Sequence, residues 1–95
     1  MNSPVVQNQN QLLMLRKQKN LSQKRVAALL GLRDPLTLSR YERGRVLPQF
    51  VTALKMQALY GLPVHVMFAG LYAELKSEMV SKLDDQAFGS KVKED

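Results

Sequence analysis

Apolar residues along this chain recur three and four positions apart, and no useful stretch alternates in twos, so the pattern predicts helices and no sheet. Residues 1–8 are polar and rich in Asn and Gln; they read as a loose N-terminal tail, with a helix opening at Ser3-Pro4 as the alternative. From Gln9 to Lys19, Leu12 and Leu15 mark a first amphipathic helix whose apolar side Leu13 and Met14 widen, and Asn20 stops it. Ser22 caps a short second helix, Ser22–Leu30, with Val26, Ala27, Leu29 and Leu30 inward. Leu21 is placed to pack on Val26 as a hydrophobic staple, and Gly31 closes the helix where a positive φ costs little. Asp34-Pro35 is the clearest start signal: a carboxylate cap precedes a proline whose missing N–H costs nothing in a first turn. The third helix therefore runs from Pro35 to Arg43, with Leu38 and Tyr41 inward, Thr37, Ser39, Arg40 and Arg43 outward, and Gly44 as its stop.

Pro48 opens a fourth helix that lasts to Tyr60 and is closed by Gly61, with Phe50, Ala53 and Leu54 on its core side. Pro63 opens a fifth through Val64, Val66, Met67 and Phe68, which Gly70 is expected to kink or break before a last helix ending at Leu83. From Asp84 onward the residues are charged and small, a composition that predicts a disordered tail over 84–95. The reading is one all-α domain of about five helices over residues 9–69, with a helical extension over 70–83.

Ninety-five residues allow one small core and no second domain. With no cysteine, disulfides, thiolate zinc sites and cysteine nucleophiles are excluded, and a single histidine, His65, poorly supplies an imidazole metal site or a Ser-His catalytic arrangement. No cofactor is expected. No apolar run approaches the roughly 18 residues of a spanning helix, and no secretory segment opens the chain, so a cytoplasmic protein off the membrane is expected.

Charge changes the picture. The formal net charge is +6, and it is uneven. Met1 to Lys55 holds ten basic residues against Asp34 and Glu42, a balance of +8, whereas Met56 to Asp95 comes to −2. A cationic front half is the footprint of a polyanion partner. Within it, two short helices joined by a tight turn at Gly31 have the layout of a helix-turn-helix, in which the second helix enters a major groove roughly 12 Å wide.

These residues resemble the XRE-type helix-turn-helix family of phage repressors and Cro-like proteins, from Leu12 to about Phe68. The resemblance rests on Leu15-Arg16, Leu21-Ser22-Gln23, Val26 to Gly31, Leu38 to Gly44, Pro48, and Leu59 to Pro63. It implies a five-helix lambda-repressor-like domain that binds double-stranded DNA. It also implies roles: Gln23 on a phosphate, Ser39 and Arg40 at base edges, Arg43 and Arg45 on the backbone, and Arg16 with Glu42 as an internal ion pair. Gly31 and Gly44 stand one residue further apart than in the usual family spacing, so the turn through Leu32-Arg33-Asp34-Pro35 is longer. Pro35 and Leu36 occupy places where many relatives carry polar readers; they can touch a thymine methyl but donate no hydrogen bond. Direct readout is then expected from Arg33, Thr37, Ser39 and Arg40, with phosphate contacts from Gln23, Lys24, Arg43 and Arg45.

Two function classes compete. One is a sequence-specific regulator of transcription, a repressor acting as a homodimer. The other is a protein-interaction module resembling an antitoxin, which binds a protein partner through the last helix and DNA only secondarily. Tyr72, Leu75, Met79 and Leu83, spaced 3, 4 and 4, form a seam suited to dimerisation or to folding back on the chain's own core. Single-stranded RNA binding is disfavoured by the few aromatics available for stacking. For catalysis, Glu42 lacks a neighbouring acid or nucleophile, and no phosphate-cradling loop is present.

Overall fold

The computed structural model describes residues 9–89; the expected tail over 1–8 and the last part of the expected disordered segment, 90–95, lie outside the described residues. Six helices follow one another: α1 (Leu12–Gln18), α2 (Gln23–Leu30), α3 (Pro35–Glu42), α4 (Phe50–Tyr60), α5 (Val64–Met67) and α6 (Ala69–Gly89). Among the described residues there is no strand.

The local signals act as their chemistry dictates. Ser22 accepts a hydrogen bond from the Arg25 N–H at 3.0 Å and caps α2, and Asp34 accepts from the Thr37 N–H at 3.0 Å ahead of Pro35. Three helices in succession end on a left-handed residue: Asn20 (φ 57), Gly31 (φ 77) and Gly44 (φ 74). At each, the following N–H reaches back across the turn: Leu21 to Arg16 O, Leu32 to Ala27 O and Arg45 to Arg40 O. The left-handed residue itself bonds the carbonyl three before it (Asn20 to Lys17, Gly31 to Ala28, Gly44 to Tyr41), which completes a Schellman motif each time. Gly61 (φ 72) closes α4.

Leu12 and Leu15 of α1, Val26 and Leu30 of α2, Leu38 and Tyr41 of α3, Met56 and Tyr60 of α4, and Met67 with Phe68 meet in one core. Ala27, small, is buried in α2, and α2 and α3 pack together. Leu32, half-buried, turns the longer α2–α3 connection onto the same core, so Gly31 to Asp34 form a seated turn rather than an open loop.

Three expectations need correction. The helix break falls at Phe68 (φ −117, ψ 47), where the side chain is drawn into the core, and Gly70 lies inside α6 facing open space. Beyond the predicted end at Leu83, α6 continues to Gly89, so residues 84–89 are helical rather than disordered. Leu13, Met14, Leu29, Phe50 and Leu54, all assigned to inner sides, are exposed, because the core takes a narrower stripe from each short helix than the run of apolar residues suggests. From Tyr72 to Asp85 every residue of α6 is exposed, and this projecting rod gives the molecule its 54 Å long axis.

Candidate nucleic-acid interface

α3 divides into two faces. Leu38, Ser39 and Tyr41 are buried, with Glu42 drawn in beside them, while Leu36, Arg40 and Arg43 are exposed and Thr37 is half-exposed at their edge. At roughly 100° per residue, Leu36, Arg40 and Arg43 fall within a single arc opposite the core. Arg33, exposed in the turn just ahead of α3, adds a cation at its start, and Arg45, exposed after Gly44, adds one at its end. Ser39 was expected on this outward face and is not there. It is only 9% exposed, so the buried arc of α3 extends beyond Leu38 and Tyr41 to include it. A base reader needs reach, and Ser39 has none. Thr37 is partly committed as well: its hydroxyl donates to Asp34 Oδ1 at 3.3 Å.

Glu42 is held by two elements. Arg16 Nε donates to Glu42 Oε2 at 2.7 Å and its Nη2 to Oε1 at 3.2 Å, a forked pair, while Nη1 donates to the Leu21 carbonyl at 2.9 Å. The two side chains are 10% and 3% exposed. Hydrogen bonding to Glu42 raises the Arg16 guanidinium above its ordinary pKa despite burial. Gln23 Nε2 donates to Glu42 Oε1 at 3.0 Å. The first turn of α2 is thereby fastened to the last turn of α3, and one of the two Gln23 amide hydrogens is already engaged. Gln23 itself is half-exposed beside the last turn of α3, and its neighbour Lys24 is exposed.

Tyr60 borders this network. Its hydroxyl is buried and has no hydrogen-bond partner among the described residues. Burial first, and the Glu42 carboxylate second, push its pKa up to about 12, with Arg16 pulling the other way.

One feature escaped the sequence. Lys55 Nζ donates to the Leu30 carbonyl at 3.2 Å, so this cation tethers α4 to the C-terminal end of α2; nothing in its spacing signals this. Leu36, which the resemblance puts among the base-reading positions, is 55% exposed in the middle of the outward arc.

Elsewhere, Tyr72 and Leu75 on α6 join Phe50 and Leu54 on α4 in an open apolar groove of about 550 Å³, which His65 and Phe68 also line. The His65 and Tyr72 rings stand 5.3 Å apart there. Met79 and Leu83 continue the exposed seam along α6. No helix of the described residues is long and apolar enough to cross a membrane.

Two short helices locked at a fixed mutual angle, the second presenting a cationic outer face, define a helix-turn-helix domain. The chain belongs to the XRE/Cro-C1-type helix-turn-helix family, whose model matches residues 12–66, and this is a family of DNA-binding transcription regulators, not of enzymes. No curated protein matches the chain significantly.

Proposed function

We propose that this protein is a sequence-specific repressor that binds double-stranded DNA as a homodimer, with α3 in the major groove. The observation that carries the reading is the outward arc of α3: Arg40 and Arg43 exposed opposite a closed core, between Arg33 and Arg45. Arg40 is the base reader, its guanidinium suited to the O6 and N7 acceptors of a guanine. Arg33 and Thr37 assist at the start of the helix. Gln23 through its second amide hydrogen, with Lys24, Arg43 and Arg45, grips phosphates and sets the register. Occupancy of such a site blocks polymerase, and the protein works in the cytoplasm, on the nucleoid when bound.

One short helix gives little affinity, and a twofold pair reading two half-sites supplies the rest. Support for a second copy comes from the surface of α4 and α6. Phe50, Leu54, Tyr72, Leu75, Met79 and Leu83, 43–74% exposed, offer on the order of 600 Å², at roughly 200 Å² per fully exposed large side chain. Leu47 and Val51, 52% and 61% exposed, bring this close to the roughly 800 Å² per partner of a standard interface. A patch of that size exceeds what lone soluble proteins ordinarily leave in water.

The test is binding of the full chain to a selected duplex and to random duplex across a salt series. The reading expects affinity to fall steeply with salt on both, and Arg40→Ala to weaken the selected site alone by about 1–3 kcal/mol. Equal weakening on both would make Arg40 a phosphate contact, and no salt-dependent duplex binding would overturn the reading.

A further inference from the structure

The outward arc of α3 carries one residue that neither electrostatics nor hydrogen bonding accounts for. Leu36 is 55% exposed at the centre of that arc, next to exposed Pro35 and one turn before Arg40. It takes no part in the core, and it has no donor or acceptor with which to hold a phosphate or a base edge. The floor of a major groove offers polar atoms at every base pair, and a single apolar group: the C5 methyl of thymine.

We propose that Leu36 is a specificity-determining residue that recognises this methyl, so that the operator carries a thymine within about two base steps of the guanine read by Arg40. The spacing follows from the helix, since residues four apart have Cβ atoms about 5–6 Å from one another and bases on one strand are stacked about 3.4 Å apart. The inference rests on the DNA-binding reading above and adds to it the chemistry of one base. A leucine against a methyl gains by mutual removal from water; against cytosine or uracil the same leucine meets only a ring C–H and strips water from polar edges without that return. Specificity here is apolar, and it is insensitive to salt where the arginine contacts are not.

The experiment is selection by the full chain from a duplex library with a randomised core, followed by thymine-to-uracil replacement, one position at a time, in the enriched duplex. Uracil pairs as thymine does and lacks only the methyl. One position near the enriched guanine is expected to lose about three- to five-fold in affinity per half-site, the worth of one buried carbon. Leu36→Ala is expected to bind the thymine and uracil duplexes alike, and Leu36→Met, which keeps an apolar tip, to retain the discrimination. Because Leu36 lies outside the core, both variants should keep the parent's helical circular dichroism. Equal binding of thymine and uracil duplexes by the parent at every position, or discrimination persisting in Leu36→Ala, overturns the assignment while leaving the DNA-binding reading intact. Enrichment of no sequence, with no salt-dependent duplex binding, overturns both.

Discussion

Removing Arg16 should cost more than removing any of the exposed cations of this domain. In Arg16→Met the aliphatic stem is kept, but three hydrogen bonds go: two to Glu42, at 2.7 and 3.2 Å, and one to the Leu21 carbonyl, at 2.9 Å. The Glu42 carboxylate, 3% exposed, is left with Gln23 as its neutral donor. Orphaning one member of a buried ion pair costs about 3–5 kcal/mol, a large part of the roughly 5–15 kcal/mol that holds a small domain folded. At about 4–8 °C per kcal/mol for a domain of this size, the melting temperature should drop by more than ten degrees. Much of that loss is the penalty on the stranded charge, so Arg16→Met combined with Glu42→Leu should recover at least about 2 kcal/mol relative to the sum of the two single variants. Urea titrations followed by helix circular dichroism measure all four corners of the cycle. An Arg16→Met cost below about 1 kcal/mol, or single-variant costs that simply add, would mean that the pair behaves like an exposed bridge and that α3 is positioned by apolar packing alone.

Three further outcomes are expected. Tyr60→Phe removes a buried hydroxyl that has no partner among the described residues, so it should leave stability at neutral pH unchanged or raise it by up to about 1 kcal/mol; a loss larger than that would reveal a hydrogen bond. The same variant tests the phenol's shift: the unfolded chain releases this proton near pH 10 and the folded chain near 12, so the parent should lose up to about 1.4 kcal/mol per pH unit over that window. Tyr60→Phe should lack that component, and identical pH slopes for the two proteins would contradict it. At the other end of the molecule, Leu75→Glu with Met79→Glu should leave the fold intact and convert the proposed homodimer to monomer in sedimentation equilibrium, with weaker binding to a two-half-site duplex; an unchanged assembly state would refute the proposed contact along α6.

Helix boundaries were legible wherever a single residue type has a single local job. Ser22, Asp34-Pro35, Asn20, Gly31, Gly44 and Gly61 each do in the structure what backbone chemistry demands of them. Gly70 misled because glycine marks a break only when the backbone needs its freedom. Here the turn is made at Phe68, whose ring is drawn into the core. The end of α6 was misjudged for a related reason, since an exposed helix and a solvated coil share the same charged, small composition. In the interface, Arg33, Arg40, Arg43 and Arg45 were readable as exposed cations. Ser39 was not readable, because a small polar residue carries no signal of whether neighbouring helices will close over it. The link from Gln23 to the Glu42 carboxylate was likewise invisible, since spacing carries no information about which partner a long polar side chain will choose.

The fastening of α3 at both ends has an evolutionary consequence. Asp34 anchors its beginning, the left-handed turn at Gly44 its end, and Glu42 ties it to two other helices, yet the side chains of Arg33, Leu36 and Arg40 take part in none of these attachments. Substitutions at those three positions can accumulate without touching what keeps the polypeptide folded. On the proposed reading of these residues as base contacts, a lineage of such proteins is free to change its genomic address one letter at a time, on a chassis that never has to be rebuilt.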